Sequence, residues 1–195
     1  MSKFKDSFSK LKENKEDLDK QFLTAVQRDD LHFVNYCIEI GIDVNCVNEN
    51  HQTALHLIAE KGNKCIGTIL LKAPNINIDA KDSMGDTPLM YAVSNDQLKF
   101  VKLLLKSKAN PNMQNHFEKT PLHIAVSQGD ANLVTALLDY NANPNMQDAY
   151  GNTPLSLSTM EYHNENIAKI LLMSGANPDL ETQKPQCLLT GYHFI

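Results

Sequence analysis

The sequence predicts an all-α fold, a solenoid of stacked helix-turn-helix units with projecting β-turn or hairpin tips. Three observations carry this prediction. Thr87-Pro88-Leu89, Thr120-Pro121-Leu122 and Thr153-Pro154-Leu155 recur every 33 residues, and Thr53-Ala54-Leu55 lies 34 residues ahead of the first. A second series keeps the same step: Asp43-Val44-Asn45, Asn110-Pro111-Asn112, Asn143-Pro144-Asn145 and Asn177-Pro178-Asp179. Between the two series stand paired apolar runs, Phe100-Val101 with Leu103-Leu104-Leu105, and Leu133-Val134 with Leu137-Leu138. Two features locked to one period over most of a chain mark stacked supersecondary units, each burying its apolar face on the next.

Each part of the unit has a local cause. The Thr hydroxyl caps the first helical turn, a contribution of about 1 kcal/mol. Pro follows at the first helical position, where a missing N–H costs nothing. Leu122, Ala125 and Val126 place apolar groups three and four apart, so one face of that helix is buried. Small Ala92 and Ala125 let a second helix approach closely. Gly62 and Gly129 end the first helices in the left-handed conformation. Leu133, Val134, Leu137 and Leu138 form the inner stripe of a second helix. The Asn-rich segment after it, with Gly41 or Gly175 ahead, is a turn projecting from the pair.

In chain order the units fall at about 17–47, 48–81, 82–114, 115–147 and 148–181, with an incomplete sixth over 182–195, so the array spans 17–189 after an N-terminal amphipathic extension, 1–16. Ten or eleven helices between Asp17 and the C-terminus are expected. The first unit begins Asp19-Lys20-Gln21-Phe22-Leu23 in place of the triplet, as a polar terminal cap should. One residue is inserted between Asn63 and Asp79, where Ala73-Pro74 displaces Gly-Ala, and another in Glu161–Asn166. Glu118 replaces a turn glycine before Thr120. Cys187-Leu188-Leu189 occupies the triplet's place in the sixth unit and Gly191 falls inside its helix, so that unit is a minimal cap or a truncation point.

These residues resemble the ankyrin repeat family. Its Thr-Pro-Leu-His-x-Ala motif stands here as Thr120–Ala125 and, with Ala for Pro, at Thr53–Leu57; Gly175–Asp179 is similar to its inter-repeat turn. The resemblance covers roughly 17–189. It implies a protein–protein interaction scaffold, with a partner docked along the concave face of the stack and no catalysis. In that family turn asparagines such as Asn45, Asn112 and Asn145 can also be substrates of asparaginyl hydroxylases; satisfying turn backbone groups explains them without it.

Composition narrows the function further. The chain has 195 residues, 18 Lys plus Arg and 23 Asp plus Glu, for a net charge of −5. That mild acidity argues against nucleic acid as the main ligand. The longest apolar run, Cys65–Leu71, is far short of a membrane span, and the charged N-terminus is unlike a signal peptide. No Asn-x-Ser/Thr sequon occurs. A monomeric, cytoplasmic protein is expected, the nucleus or a host-cell cytosol being open alternatives. Cys37, Cys46, Cys65 and Cys187 are scattered, without zinc spacing, and are expected as single thiols at apolar positions. His56 and His123 lie in the repeat motif, where the ring is expected to hydrogen-bond neighbouring turn or helix-start groups. His51, His116, His163 and His193 lie near tips or inter-helix turns, with no partner at metal-site spacing. No P-loop, Gly-x-Gly-x-x-Gly or Gly-x-Ser-x-Gly is present. No cofactor, no metal and no enzyme activity are expected.

What the fold does not claim is free for binding. The candidate partner site takes Met84 and Asp86, His116, Phe117 and Lys119, and Tyr150 and Asn152 from the tips. It takes Ser94, Asn95, Ser127, Gln128 and Met160 from the first-helix ends. Met84, Phe117 and Tyr150 recur at intervals of 33, one per tip, and apolar groups ringed by polar ones are what binding hot spots look like. The alternative is that they pack sideways on neighbouring tips. Phe4, Phe8, Leu11, Leu18 and Phe22 form a separate stripe at spacings of four, three, seven and four; it shields the open end of the stack or binds a partner. Other functional classes stay open: a pathogen- or virus-encoded inhibitor mimic acting on a host, the targeting fragment of a larger enzyme, or a ubiquitin-ligase adaptor.

Overall fold

A computed structural model describes residues 15–161 and 164–180. The Phe4–Phe8–Leu11 part of the N-terminal stripe, His163, Cys187, His193 and the whole sixth unit lie outside the described residues. Within them are ten helices in five pairs. The pairs are α1 (Lys15–Gln27) with α2 (Leu31–Glu39), α3 (Ala54–Lys61) with α4 (Lys64–Leu70), and α5 (Pro88–Ser94) with α6 (Leu98–Lys106). They continue with α7 (Pro121–Gln128) and α8 (Ala131–Leu138), then α9 (Pro154–Ser156) and α10 (Glu165–Met173). No strand forms among the described residues; one antiparallel bridge, Val47 with Thr53, is the sole remnant of the expected hairpins. The other tips are turns.

The chain forms two compact units, residues up to 109 and residues from 110. The first contains α1 to α6. Its core is Phe22, Val34, Leu55, Ile58, Ile66, Leu70, Leu89, Phe100 and Leu104, all essentially inaccessible to water. Leu18 and Phe22 of the N-terminal stripe are buried there. The second contains α7 to α10, packed around Leu122, Val126, Leu133, Leu137, Ile167 and Leu171. Ala92 and Ala125 are fully buried where close approach was expected.

Helix ends explain why the pairs are so short. First helices stop at a left-handed residue: Asp29 (φ 59°), Gly62 (φ 70°), Asp96 (φ 54°) and Gly129 (φ 73°). The chain then turns straight into the cap of the second helix. Asp30, Asn63, Asp130 and Asn164 each accept backbone N–H groups of the turn that follows. Second helices close the same way. Lys108 and Ala109 donate to Leu105 and Leu104, and Asn141 and Ala142 donate to Leu138 and Leu137, so that orphan carbonyls are satisfied.

Three expectations are corrected. The residue surplus in the second unit does not put Ala73-Pro74 in the glycine's conformation: Asn75 takes it, with φ 60°, and Ala73 is buried. The surplus in the fifth unit is expressed earlier than Glu161, because residues Leu157–Glu161 form a π-helical turn directly after α9. A widened turn is how a helix accepts one extra residue without losing its cap. Cys37 and Cys46 are buried free thiols, raised to about 11 and about 12 chiefly by burial, whereas Cys65 is exposed on the outer side of α4.

Candidate functional site

The tips are built on one polar residue each. Asn48, Asp82, Asn115 and Asp148 stand 34, 33 and 33 residues apart. Each accepts, through one side-chain oxygen, the N–H groups two and four residues ahead, at 2.8–3.0 Å. The backbone closes around that oxygen: Asp148 donates to Asn152 at 2.9 Å and Gly151 donates to Asp148 at 2.8 Å, with the same pattern in the other three tips. The fourth tip residue is left-handed throughout, as His51 (φ 58°), Gly85 (φ 78°), Glu118 (φ 56°) and Gly151 (φ 77°). Glu118 therefore adopts the conformation of the glycine it replaces. The third residue of the closed turn is held outward, which is where Met84, Phe117 and Tyr150 stand.

Their exposure follows: Met84 is 47% accessible, Phe117 45% and Tyr150 54%. Sideways packing would have hidden them. Within the second compact unit the tips of Phe117 and Tyr150 are neighbours, because the Ala149 N–H donates to the Phe117 carbonyl at 3.0 Å. Gln114 adds a second tie, donating through Nε2 to the Gln147 carbonyl at 3.0 Å. In the first unit the Ser83 N–H donates to the Asn50 carbonyl at 3.1 Å, so Met84 stands on an equally tied tip.

Tips are fastened to helices by the motif histidines. His56 Nδ1 accepts the Thr53 N–H at 3.1 Å, and Nε2 meets the Asp86 carbonyl at 3.1 Å. His123 repeats this with the Thr120 N–H at 3.1 Å and the Asn152 carbonyl at 3.1 Å. A carbonyl only accepts, so Nε2 carries the proton and the ring is neutral. Burial, outweighing the carbonyl bonds, holds both rings below the ordinary histidine range. A further network exists in the first unit alone. Gln52 Nε2 donates to the Tyr91 hydroxyl at 2.7 Å, and that hydroxyl donates to Asp82 Oδ2 at 2.8 Å. Burial beside the Asp82 carboxylate pushes the phenol up to about 12.

The turn asparagines join consecutive repeats. Asn45 Nδ2 donates to the Asn75 carbonyl at 2.7 Å while its Oδ1 accepts the Asn77 N–H at 2.8 Å. Asn112 holds Asn141 and Asn143 at 3.0 and 2.7 Å, and Asn145 holds Gly175 and Asn177 at 3.0 and 2.7 Å. Both ends of each amide are used on a neighbour's backbone.

The sequence-predicted site residues divide accordingly. His116, Phe117 and Tyr150 are brought together on exposed, joined tips, and Gln128 is exposed at the end of α7. Met84 and the exposed Ser94 belong to the first unit. Asp86, Lys119 and Asn152 are half-buried residues whose backbone closes a tip. Asn95 and Ser127 give their side chains to their own helices, donating to the Tyr91 and His123 carbonyls at 2.9 Å each. The Met160 side chain lies outside the described residues. Sequence reasoning missed exposed Val47, and Met173, the most exposed large apolar residue at 90%. It also missed the four Asx anchors, whose constant spacing was a sufficient signal. Among the described residues no group of three or more His, Cys, Asp or Glu side chains could hold a metal ion, and no helix is long and apolar enough to cross a membrane.

Comparison with known sequences completes the picture. A family model described as ankyrin repeats (three copies) matches residues 22–115 and 100–182. The delta-latroinsectotoxin-Lt1a of Latrodectus tredecimguttatus is 41% identical over 76 residues, 38% of this chain and 6% of the toxin. The ankyrin repeat protein YahD of Escherichia coli (strain K12) is 33% identical over 103 residues, covering 50% of this chain and 51% of its own length. The ankyrin repeat protein FPV244 of fowlpox virus (strain NVSL) is 30% identical over 88 residues, 45% of this chain and 13% of the viral protein. The chain thus spans at most about half of these relatives.

Proposed function

The chain belongs to the ankyrin repeat family, and from that premise we propose that it is a monomeric, non-catalytic module that binds a protein partner through its tips. Ankyrin repeats generally mediate protein–protein interaction, and the family is typically non-catalytic. The observation that carries the reading is Phe117 beside Tyr150, each about half exposed on tips joined by the Ala149-to-Phe117 hydrogen bond. Aromatic rings on a rigid base lose little entropy on binding and bury a large area, which is why they dominate interfaces. His116 and Gln128 supply the polar rim, and Met84 presents the same register in the first unit. The site is cytoplasmic in this reading, and neither nucleic acid nor membrane is the ligand. Relatives as unlike as a spider toxin, a bacterial protein and a poxvirus protein share only the repeats. The host-directed viral mimic is therefore the second reading, favoured by the FPV244 match over 45% of the chain.

The test is a partner captured with the wild-type chain and titrated calorimetrically against Phe117→Ala/Tyr150→Ala. Binding is expected to weaken by at least about 2 kcal/mol, as for aromatic anchors. Melting should stay nearly unchanged, because exposed substitutions shift stability by less than about 0.5 kcal/mol. Equal affinity for both chains sinks the tip site.

A further inference from the structure

The first compact unit carries a groove that the tip site does not use. It has a volume of about 630 Å³ and runs between α1 and the first tip. Leu23 and the exposed Val47 give it an apolar floor, and Glu16, Asp19 and Glu49 line it against the single cation Lys20. The groove is therefore amphipathic and carries a net charge of −2.

We infer that this groove seats the chain's own residues 1–14, through Phe4, Phe8 and Leu11 on its apolar floor and the segment's lysines on its carboxylates. Three features select that occupant. The segment joins the groove directly, since Glu16 lines it and Lys15 opens α1. Its charge is opposite: Lys3, Lys5, Lys10 and Lys12 stand against Asp6 and Glu13, a net +2. Its length suffices. The lining of α1 runs from Glu16 to Gln27, roughly 17 Å at helical rise, and fourteen extended residues reach roughly 45 Å. A reversal is needed just before Lys15, and Asn14, a turn-forming residue, stands there. Phe4, Phe8 and Leu11, four and three apart, present one apolar stripe to one floor. The competing seat is the open end of the first pair, around Lys20, Gln21, Arg28, Asp30 and Phe33. Its two cations outnumber its one carboxylate, so it repels the same lysines.

The inference stands apart from the tip site, because it concerns residues 1–50 alone. It is tested on the full-length chain by methyl NMR, comparing wild type with Glu16→Lys/Glu49→Lys and with Phe4→Ser/Phe8→Ser. Both pairs lie outside the packed core, and unchanged Leu55 and Leu89 methyl signals confirm the fold of each variant. The wild type is expected to show contacts from the Phe4 or Phe8 ring to the Val47 methyls, independent of protein concentration. Both variants should lose those contacts and move the Val47 signal to the same position. In the groove variant, trypsin cleavage after Lys10 and Lys12 should accelerate at least about threefold, as protection tracks the docked population. Ring contacts to Leu31 and Phe33 instead, contacts that grow with concentration, or no contacts at all overturn the assignment.

Discussion

The two compact units run the same repeat with different residues at the base of their tips. In the first, Tyr91 binds two tips at once, through Gln52 and Asp82. In the second, the position 33 residues later is Ile124, half-buried, and the tips are held by backbone and Gln114 bonds alone. The packing differs in the same way. Ile66 and Gly67 of α4 stand in the register of Leu133 and Val134 of α8, and beside Gly67 the Phe100 ring fills the room of a missing side chain: an added Cβ would lie 2.3 Å from it. The first unit spends its variable positions on internal locks. The second leaves them apolar and open, beneath its two exposed aromatics. What a repeat fixes is the frame; what it leaves free decides whether a unit is braced or receptive.

The largest test of that contrast strikes the shared frame. Leu89→Ala and Leu122→Ala empty equivalent, fully buried sites. Each should cost about 2–5 kcal/mol, measured by denaturant unfolding. A small loss in one unit and a large loss in the other would mean the frame is not shared. Next comes Gly67→Ala. The Phe100 ring cannot yield in a closed core, so overpacking should cost about 1–3 kcal/mol. The Cβ of Gly129→Ala would meet only Asn164 Nδ2, at 3.7 Å, and the cost there should be confined to the strain of its left-handed backbone, about 1 kcal/mol.

Acid should act on both units alike, since each holds one buried neutral histidine. His56 and His123 titrate lower folded than unfolded, so the unfolded chain binds more protons below its ordinary histidine pKa. Their contribution is therefore intact above about pH 6.5 and falls as pH drops below it, by up to about 1.4 kcal/mol per pH unit for each ring. Unfolding titrations at successive pH values should show that slope, and His56→Asn/His123→Asn should flatten it. The smallest expected effect is the sharpest discriminator. Tyr91→Phe removes one hydroxyl and should cost about 0.5–1.5 kcal/mol. Amide exchange should quicken at residues 83–86 and not at residues 149–152. Equal quickening in both tips would dissolve the distinction between the units.

The frame was legible because its signals are local. Thr caps, Pro at the first turn and Gly62 or Gly129 at helix ends are short-range chemistry, and the structure places each where the sequence does. The exposure of Met84, Phe117 and Tyr150 was legible as well, since a 33-residue period puts them at one point of a closed turn. The rest depends on groups far apart in sequence. Nothing near Tyr91 announces that its hydroxyl meets Gln52, 39 residues earlier. Asn95 and Ser127 read as binding residues because a helix end is exposed, yet their side chains fold back onto helix carbonyls. The widened turn at Leu157–Glu161 was hidden because an insertion can be counted from sequence without being located.

The asparagine ties between repeats give the protein a chemical clock. Asn45, Asn112 and Asn145 each use both halves of one amide, and deamidation changes only one half. The new carboxylate still accepts the neighbour's N–H, but it turns an anionic oxygen toward the carbonyl that the amide held at 2.7–3.0 Å. Attraction becomes repulsion with no change of size. Each tie is followed by a bulky residue, Cys46, Met113 or Met146, which slows the cyclisation that begins deamidation. Old protein would thus lose cohesion repeat by repeat, not all at once, and its age would be written in the spacing of its turns.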